Sequence, residues 1–458
     1  MTSFETAATV LGLVLVGGAL LSGLAHRSLL SLTALFVLVG FALGQGGLDV
    51  LDIDPRSTFV ADLALVALIV ILFRDGLEVE AEMLQRAWHL PLRKLVVGMP
   101  ITALVVALAT KALTDLSWTE AFLLGALLSP TDPVLSSSVV TNPRVPRIVR
   151  HSLNLESGLN DGLALPPVLA LLAALSASGE DFTWWRFVLQ DVTLGVLYGV
   201  VVGLLASVVL PRPRGLRETL TPHARAMYAL GVAFATYGVT TLRPHGNGII
   251  AVFVCAIVLG IRRPDVRQCF EARAEDLIEV VKLGIFVVFG SLLTFHGLFG
   301  DGWAAVAIVA VTLLVARPVA IWIALAGTRL DAATKAFMAW FGPKGVATMT
   351  FSLLVLSKGI AEGSRIFNLA ALCVLVSIVA HGLSDTPGSE WIARRGERTR
   401  EAETEAAAGS NGAWAGRGGR LAGGPPRPRR PRRPRAGSAA ARRARPAPRA
   451  RASGRSRA

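Results

Sequence analysis

Between residues 7 and 383 the chain returns about thirteen times to an apolar run close to the roughly 20 residues that a bilayer core requires. Runs of that kind predict membrane-crossing helices. They fall at approximately 7–25, 28–44, 58–73, 95–113, 119–139, 153–175, 187–210, 226–242, 247–261, 277–297, 303–325, 332–357 and 366–383. The chain is 53% hydrophobic with a mean hydropathy of +0.56, which excludes a soluble globule. The expected fold class is an all-α polytopic membrane protein. The first run, Ala7 to Ala25, has no basic region ahead of it and is expected to be a retained segment.

Charge divides the chain in two. The net charge is +14, but the stretch from Trp391 onward holds 19 Arg, no Lys and only four Glu, which leaves 1–390 nearly neutral. The expected domains are therefore a transmembrane domain, 1–390, and an Arg/Pro-rich tail, 391–458. The tail has almost no large apolar residues and is expected to be disordered. If it lies in the cytoplasm, loops on that side carry 18 Lys and Arg, including Arg74 and Lys94, against six outside. That asymmetry fits a cytoplasmic C-terminus, an outside N-terminus and a plasma-membrane location. The favoured reading of the tail is a solvated extension with no specific role; anionic lipid on the cytoplasmic face is the candidate partner, and no motif supports nucleic acid. Cys255, Cys269 and Cys373 have no metal or redox spacing and read as packing residues.

Inside this apolar frame stands Glu156-Ser157-Gly158-Leu159-Asn160-Asp161-Gly162. A charge at that depth costs roughly 2.5 kcal/mol or more. On a helix Ser157 and Asp161 share one face, and Glu156 and Asn160 share the next. One face can offer oxygens to a small cation while the other docks on a partner helix.

Two more runs are interrupted. Ser129-Pro130-Thr131-Asp132-Pro133 places two prolines around a Thr-Asp pair, and Phe341-Gly342-Pro343-Lys344-Gly345 forms a second break containing a cation. Proline forces a helix to kink or unwind, and unwound backbone persists in a membrane only when buried in protein or lining a cavity. Breaks in corresponding positions of two halves point to inverted repeats around a midplane site. The fourth run then matches the eleventh, and the sixth the thirteenth. Arg317, deep in the eleventh, needs a fixed anion, for which Glu156 is the candidate. Glu279 and Lys282 are expected to pair locally. Asp62, Asp75 and Asp191 lie near run ends, where solvated roles are expected, and His296 and His381 are expected at the membrane interface.

Thr131-Asp132-Pro133, the 156–162 cluster, Ala316-Arg317-Pro318 and Gly342-Pro343-Lys344-Gly345 together resemble the cation:proton antiporter superfamily. The resemblance is to its NhaP-like sodium/proton exchanger branch, over about residues 5–390. It implies a dimer with a moving core (runs four to six and eleven to thirteen) against an interface domain (runs one to three and eight to ten). It implies that Asp161 is loaded in turn with a proton or a cation, with Asp132, Ser157 and the Thr131 backbone completing a Na⁺ site beside Asn160. Glu156 would pair with Arg317, while Lys344, Pro130, Pro133 and Pro343 would support the breaks. Asp75 is a candidate counterpart of an acidic residue near the ion path. Asn160 ahead of Asp161 resembles the one-to-one exchangers.

The residues themselves suggest a mechanism. A proton or a cation can each discharge a buried carboxylate, but not both together. Na⁺, with Li⁺ beside it, is the expected cation, and K⁺ is the runner-up because ligand types do not fix cavity size. No cofactor is expected. An ion channel or an intramembrane hydrolase using Ser157 is the reading of another class. One asymmetric acidic cluster does not suit a channel, and no His accompanies Ser157 at depth.

Overall fold

The computed structural model describes residues 12, 15–17, 32–79, 88–132, 139, 142–176, 183–211, 220–242 and 246–417, with side chains through Arg398. It separates into two units, residues 1–400 and 401–458. In chain order the helices of nine residues or more are α1 (Leu32–Leu43), α2 (Thr58–Glu78), α3 (His89–Leu113), α4 (Trp118–Leu127), α5 (Arg147–Ser176) and α6 (Trp184–Val209). They continue with α7 (Pro222–Leu242), α8 (Gly248–Arg262), α9 (Pro264–Ser291), α10 (Trp303–Ala324), α11 (Ala332–Trp340), α12 (Val346–Ser357) and α13 (Gly363–Arg417). Among the described residues there is no strand. The expected first run lies almost wholly outside the described residues, as does the part of the 119–139 run beyond Asp132 apart from residue 139; among the described residues each of the other runs overlaps a helix or, at 332–357, a broken pair. Stretches within α3, α5, α6, α10 and α13 are long and apolar enough to cross a membrane.

Local sequence explains where helices start. Ser57 caps α2 by accepting from the Val60 amide. Ser117 and Glu120 form a reciprocal capping box on α4. The Asn247 side chain accepts from the Ile249 and Ile250 amides at the start of α8. Without a hydrophobic drive between helices in lipid, small residues let backbones approach. Gly195, Gly199 and Gly203 do so along α6, where an added Cβ would stand 2.6–2.9 Å from carbonyl oxygens of 247, 251 and 255.

Two boundaries differ from the sequence reading. Helix α9 begins at Pro264 rather than near 277, because proline at the first turn starts a helix well and Val266, Phe270 and Ala274 keep one face buried. Helix α13 runs past 390 to Arg417, so no helix end falls at 391. Ile392 and Ala393 are buried, and Glu397 and Arg395 pair with Arg144 and Asp331 at 3.0 and 3.1 Å. Composition shifts at 391, but the helical pattern does not. The rest of the tail, 418–458, lies outside the described residues.

Candidate ion site

Both expected breaks are present, and they cross each other. Helix α4 stops at Leu127, and α11 and α12 are separated by five residues without helical structure. The Asp132 amide donates to the Pro343 carbonyl at 2.8 Å, Lys344 Nζ donates to the Pro130 carbonyl at 3.1 Å, and Thr348 Oγ1 donates to the Leu127 carbonyl at 3.1 Å. One index rises as the other falls, so the two interrupted stretches run antiparallel. An Asp132 oxygen accepts from the Val346 amide at 3.2 Å, placing an anion on the positive end of α12. Lys344, fully buried, brings a cation to the carbonyls freed at the other break. Gly345 is required at the crossing: a Cβ there would stand 2.3 Å from that of Asp132. Pro133 lies outside the described residues.

Glu156 sits on α5, buried, with both oxygens engaged. Arg317 Nη1 reaches Oε1 at 3.0 Å, and Lys94 Nζ reaches Oε2 at 2.5 Å. Lys94 also donates to the Ser152 carbonyl at 3.0 Å. Arg317 Nη2 continues to the Met338 and Phe341 carbonyls at 3.4 and 3.0 Å, capping the C-terminal end of α11. Gly342 admits that guanidinium, since an added Cβ would lie 1.9 Å from Arg317 Nε.

Lys94, read from sequence as a loop charge, is fully buried in a helix. It opens a π-helical turn in α3, Lys94–Gly98, while Arg317 directly follows a π-helical turn in α10, Thr312–Ala316. Runs four and eleven, matched by placement alone, thus each deliver one cation to the same carboxylate. That correspondence was the signal that could have found Lys94.

Asp161 is buried one turn further along α5, and its Oδ1 accepts no hydrogen bond from the protein. The carboxylates of Asp75 and Asp132 and the cations of Arg74 and Lys282 are the charges within its electrostatic reach. Asn160 Nδ2 donates to the Thr131 carbonyl at 2.7 Å and to Thr131 Oγ1 at 3.0 Å; its own Oδ1, also buried, takes no protein hydrogen bond. The Thr131 carbonyl is therefore engaged by Asn160. Ser157 is half-buried on the Asp161 side of α5.

Several expectations change. Asp75 is buried rather than solvated, because α2 continues beyond 73 to Glu78 and its last turns pack against α5 and α8. The Asp75 carbonyl lies 3.6 Å from where a Gly158 Cβ would be. Lys282 does not pair locally: Glu279 is exposed, and the charges around Lys282 are Arg74, Asp132, Asp75 and Glu78. His381 is buried rather than interfacial, with ring nitrogens 2.8 and 2.9 Å from the carbonyls of Ser377 and Trp340. His296 is exposed. Among the described residues no cluster of His, Cys, Asp and Glu has the form of a resident metal site.

Known proteins share this architecture. The profile of the sodium/hydrogen exchanger transmembrane family matches residues 12–391. The K⁺/H⁺ antiporter NhaP of Alkalimonas amylolytica is 27% identical over 362 residues, covering 78% of this chain and 62% of that protein. The K⁺/H⁺ antiporter NhaP2 of Shewanella oneidensis is 26% identical, covering 80% and 63%. The Na⁺/H⁺ antiporter NhaG of Bacillus atrophaeus is 26% identical, covering 77% and 68%. The chain thus spans less than two thirds of the length of the first two relatives. The sodium proton antiporter MjNhaP1 of Methanocaldococcus jannaschii superposes with a TM-score of 0.72 at 18% identity, covering 86% of this chain and all of that one, and so shares the fold.

Proposed function

This chain belongs to the sodium/hydrogen exchanger transmembrane family, and from that premise we propose that it exchanges a monovalent cation for a proton across a membrane, with Asp161 carrying each in turn. One observation supports this most. Asp161 is buried with an oxygen that no protein group satisfies, beside two further carboxylates, whereas Glu156 on the same helix is saturated by fixed cations. A buried carboxylate left this way is costly unless something neutralises it. A proton does so by bonding; a small cation does so by coordination to hard oxygens, for which Asp161 and Ser157 and, across the break, Asp132 and Thr131 are the candidates. Asn160 cannot titrate, which suits an electroneutral exchange of one cation for one proton.

Alternating access follows if the core crosses only when Asp161 is discharged. The two breaks, tied to each other by backbone and side-chain bonds, then move together with α5. K⁺ stands level with Na⁺ as the transported cation: two of the relatives are named K⁺/H⁺ antiporters and one a Na⁺/H⁺ antiporter.

The test is dequenching of a pH-sensitive dye in everted vesicles given Na⁺, Li⁺ and K⁺ in turn, with the Asp161→Asn chain as control. The expected result is dequenching by at least one cation, without current, and none in the variant. Equal dequenching in the variant would remove Asp161 from the carrier role.

A further inference from the structure

Beside Asp161 the interface helices carry charges that the exchange cycle has not used. Arg74 lies on α2 with its Nε and Nη2 2.9 and 2.6 Å from one oxygen of Asp75, and its Nε 3.8 Å from Glu78. Lys282, on α9, is a second cation whose charge acts on the same two acids. Asp75, Glu78 and Asp132 attract the Arg74 charge, and Lys282 repels it. Asp75 is buried, and its backbone carbonyl lies near Gly158, one turn from Asp161. Asp75, Asp132 and Asp161 are all buried, and a tethered guanidinium already holds one of them.

From this pairing we propose that Arg74 is a tethered competitor of the transported cation, occupying Asp75 while the site is empty and setting how much cation is needed to fill it. The inference rests on the antiport reading. A cation entering between Asp75 and Asp161 gains attraction from both carboxylates, but Arg74 has already discharged one and repels the newcomer. To bind, the cation must draw Asp75 away from the guanidinium. Glu78 is where that guanidinium goes: four residues on along α2, on the same face, and 38% exposed, it offers the displaced charge a second anion. Arg74 in this role sets affinity and touches no substrate. Lys282 adds a fixed positive background from the neighbouring helix.

The sign of the effect separates this role from a structural one. Cation-driven dequenching is titrated at fixed pH in vesicles, with Na⁺ and then K⁺. Arg74→Gln is expected to lower the half-saturating cation concentration by ~3- to 10-fold, an effect of the size ordinary for one charge contact. Arg74→Lys, which keeps the charge but loses the fork on Asp75, is expected in between. Glu78→Gln removes the alternative anion and is expected to raise the half-saturating concentration. A purely structural Arg74 predicts the opposite for Arg74→Gln: weaker binding or a lower maximal rate. If Arg74→Gln fails to fold, Glu78→Gln and Arg74→Lys decide the matter by their opposite signs. An exchanging wild type whose half-saturating concentration is unmoved, or rises in both Arg74 variants, overturns this inference alone. A wild type that exchanges none of the cations overturns the antiport reading and this inference with it.

Discussion

Glu156 and Asp161 are two buried acids on one helix, little more than a turn apart, and they could hardly be treated more differently. Glu156 has a cation on each oxygen, supplied by α3 and α10. Asp161 has a buried oxygen to which no protein group donates a hydrogen bond, and further acids for company. An acid saturated by tethered cations is a fastener; an acid left short of positive charge is available to mobile ones. The difference is made entirely by which helices face the two sides of α5.

Asp161→Asn breaks the comparison at its functional end. Exchange should fall to the vesicle background, while the purified protein melts no lower than wild type, because removing an uncompensated buried charge costs no stability. Loss of both exchange and melting transition would contradict the division of labour. Next in size is Glu156→Gln, which strands two buried cations. Denaturation of the purified protein should show a loss of ~3–5 kcal/mol. Arg317→Ala should cost less than Glu156→Gln in the same measurement, because Lys94 remains on the carboxylate. Asn160→Ala removes two hydrogen bonds to Thr131 and should cost ~1–3 kcal/mol with exchange slowed rather than abolished, read from melts and dye dequenching together. At the small end stands Arg144→Gln, whose partner Glu397 is also exposed; solvent screens the pair, and the variant should melt with wild type.

Much of this was legible in the sequence wherever physics leaves one solution. A guanidinium between Ala316 and Pro318 inside an apolar run must find an anion, and Glu156 was the one available. Prolines at 130 and 343 had to interrupt their helices. What could not be read is equally physical. Lys94 and Arg74 sit at the ends of apolar runs, and hydropathy cannot separate a snorkelling end from a charge turned inward. Asp75 follows Arg74 and looks like the edge of a loop, yet Gly76 and Leu77 carry the helix and its buried face onward. The bond from Asp132 to α12 joins residues 214 apart, which no local pattern reveals. At 391 the composition turns arginine-rich while the helix persists, because a solvated face tolerates charge as long as Ile392 and Ala393 stay inside.

The paired fastening of Glu156 has a consequence for biosynthesis. Lys94 precedes Glu156 by 62 residues, whereas Arg317 is made 161 residues after it. When the ribosome delivers the sixth hydrophobic segment to the insertion machinery, one counter-ion for its acid has already been translated and the other has not. The nascent chain can therefore shelter that acid early with the lysine, and the arginine, arriving late with the far half of the molecule, closes the assembly.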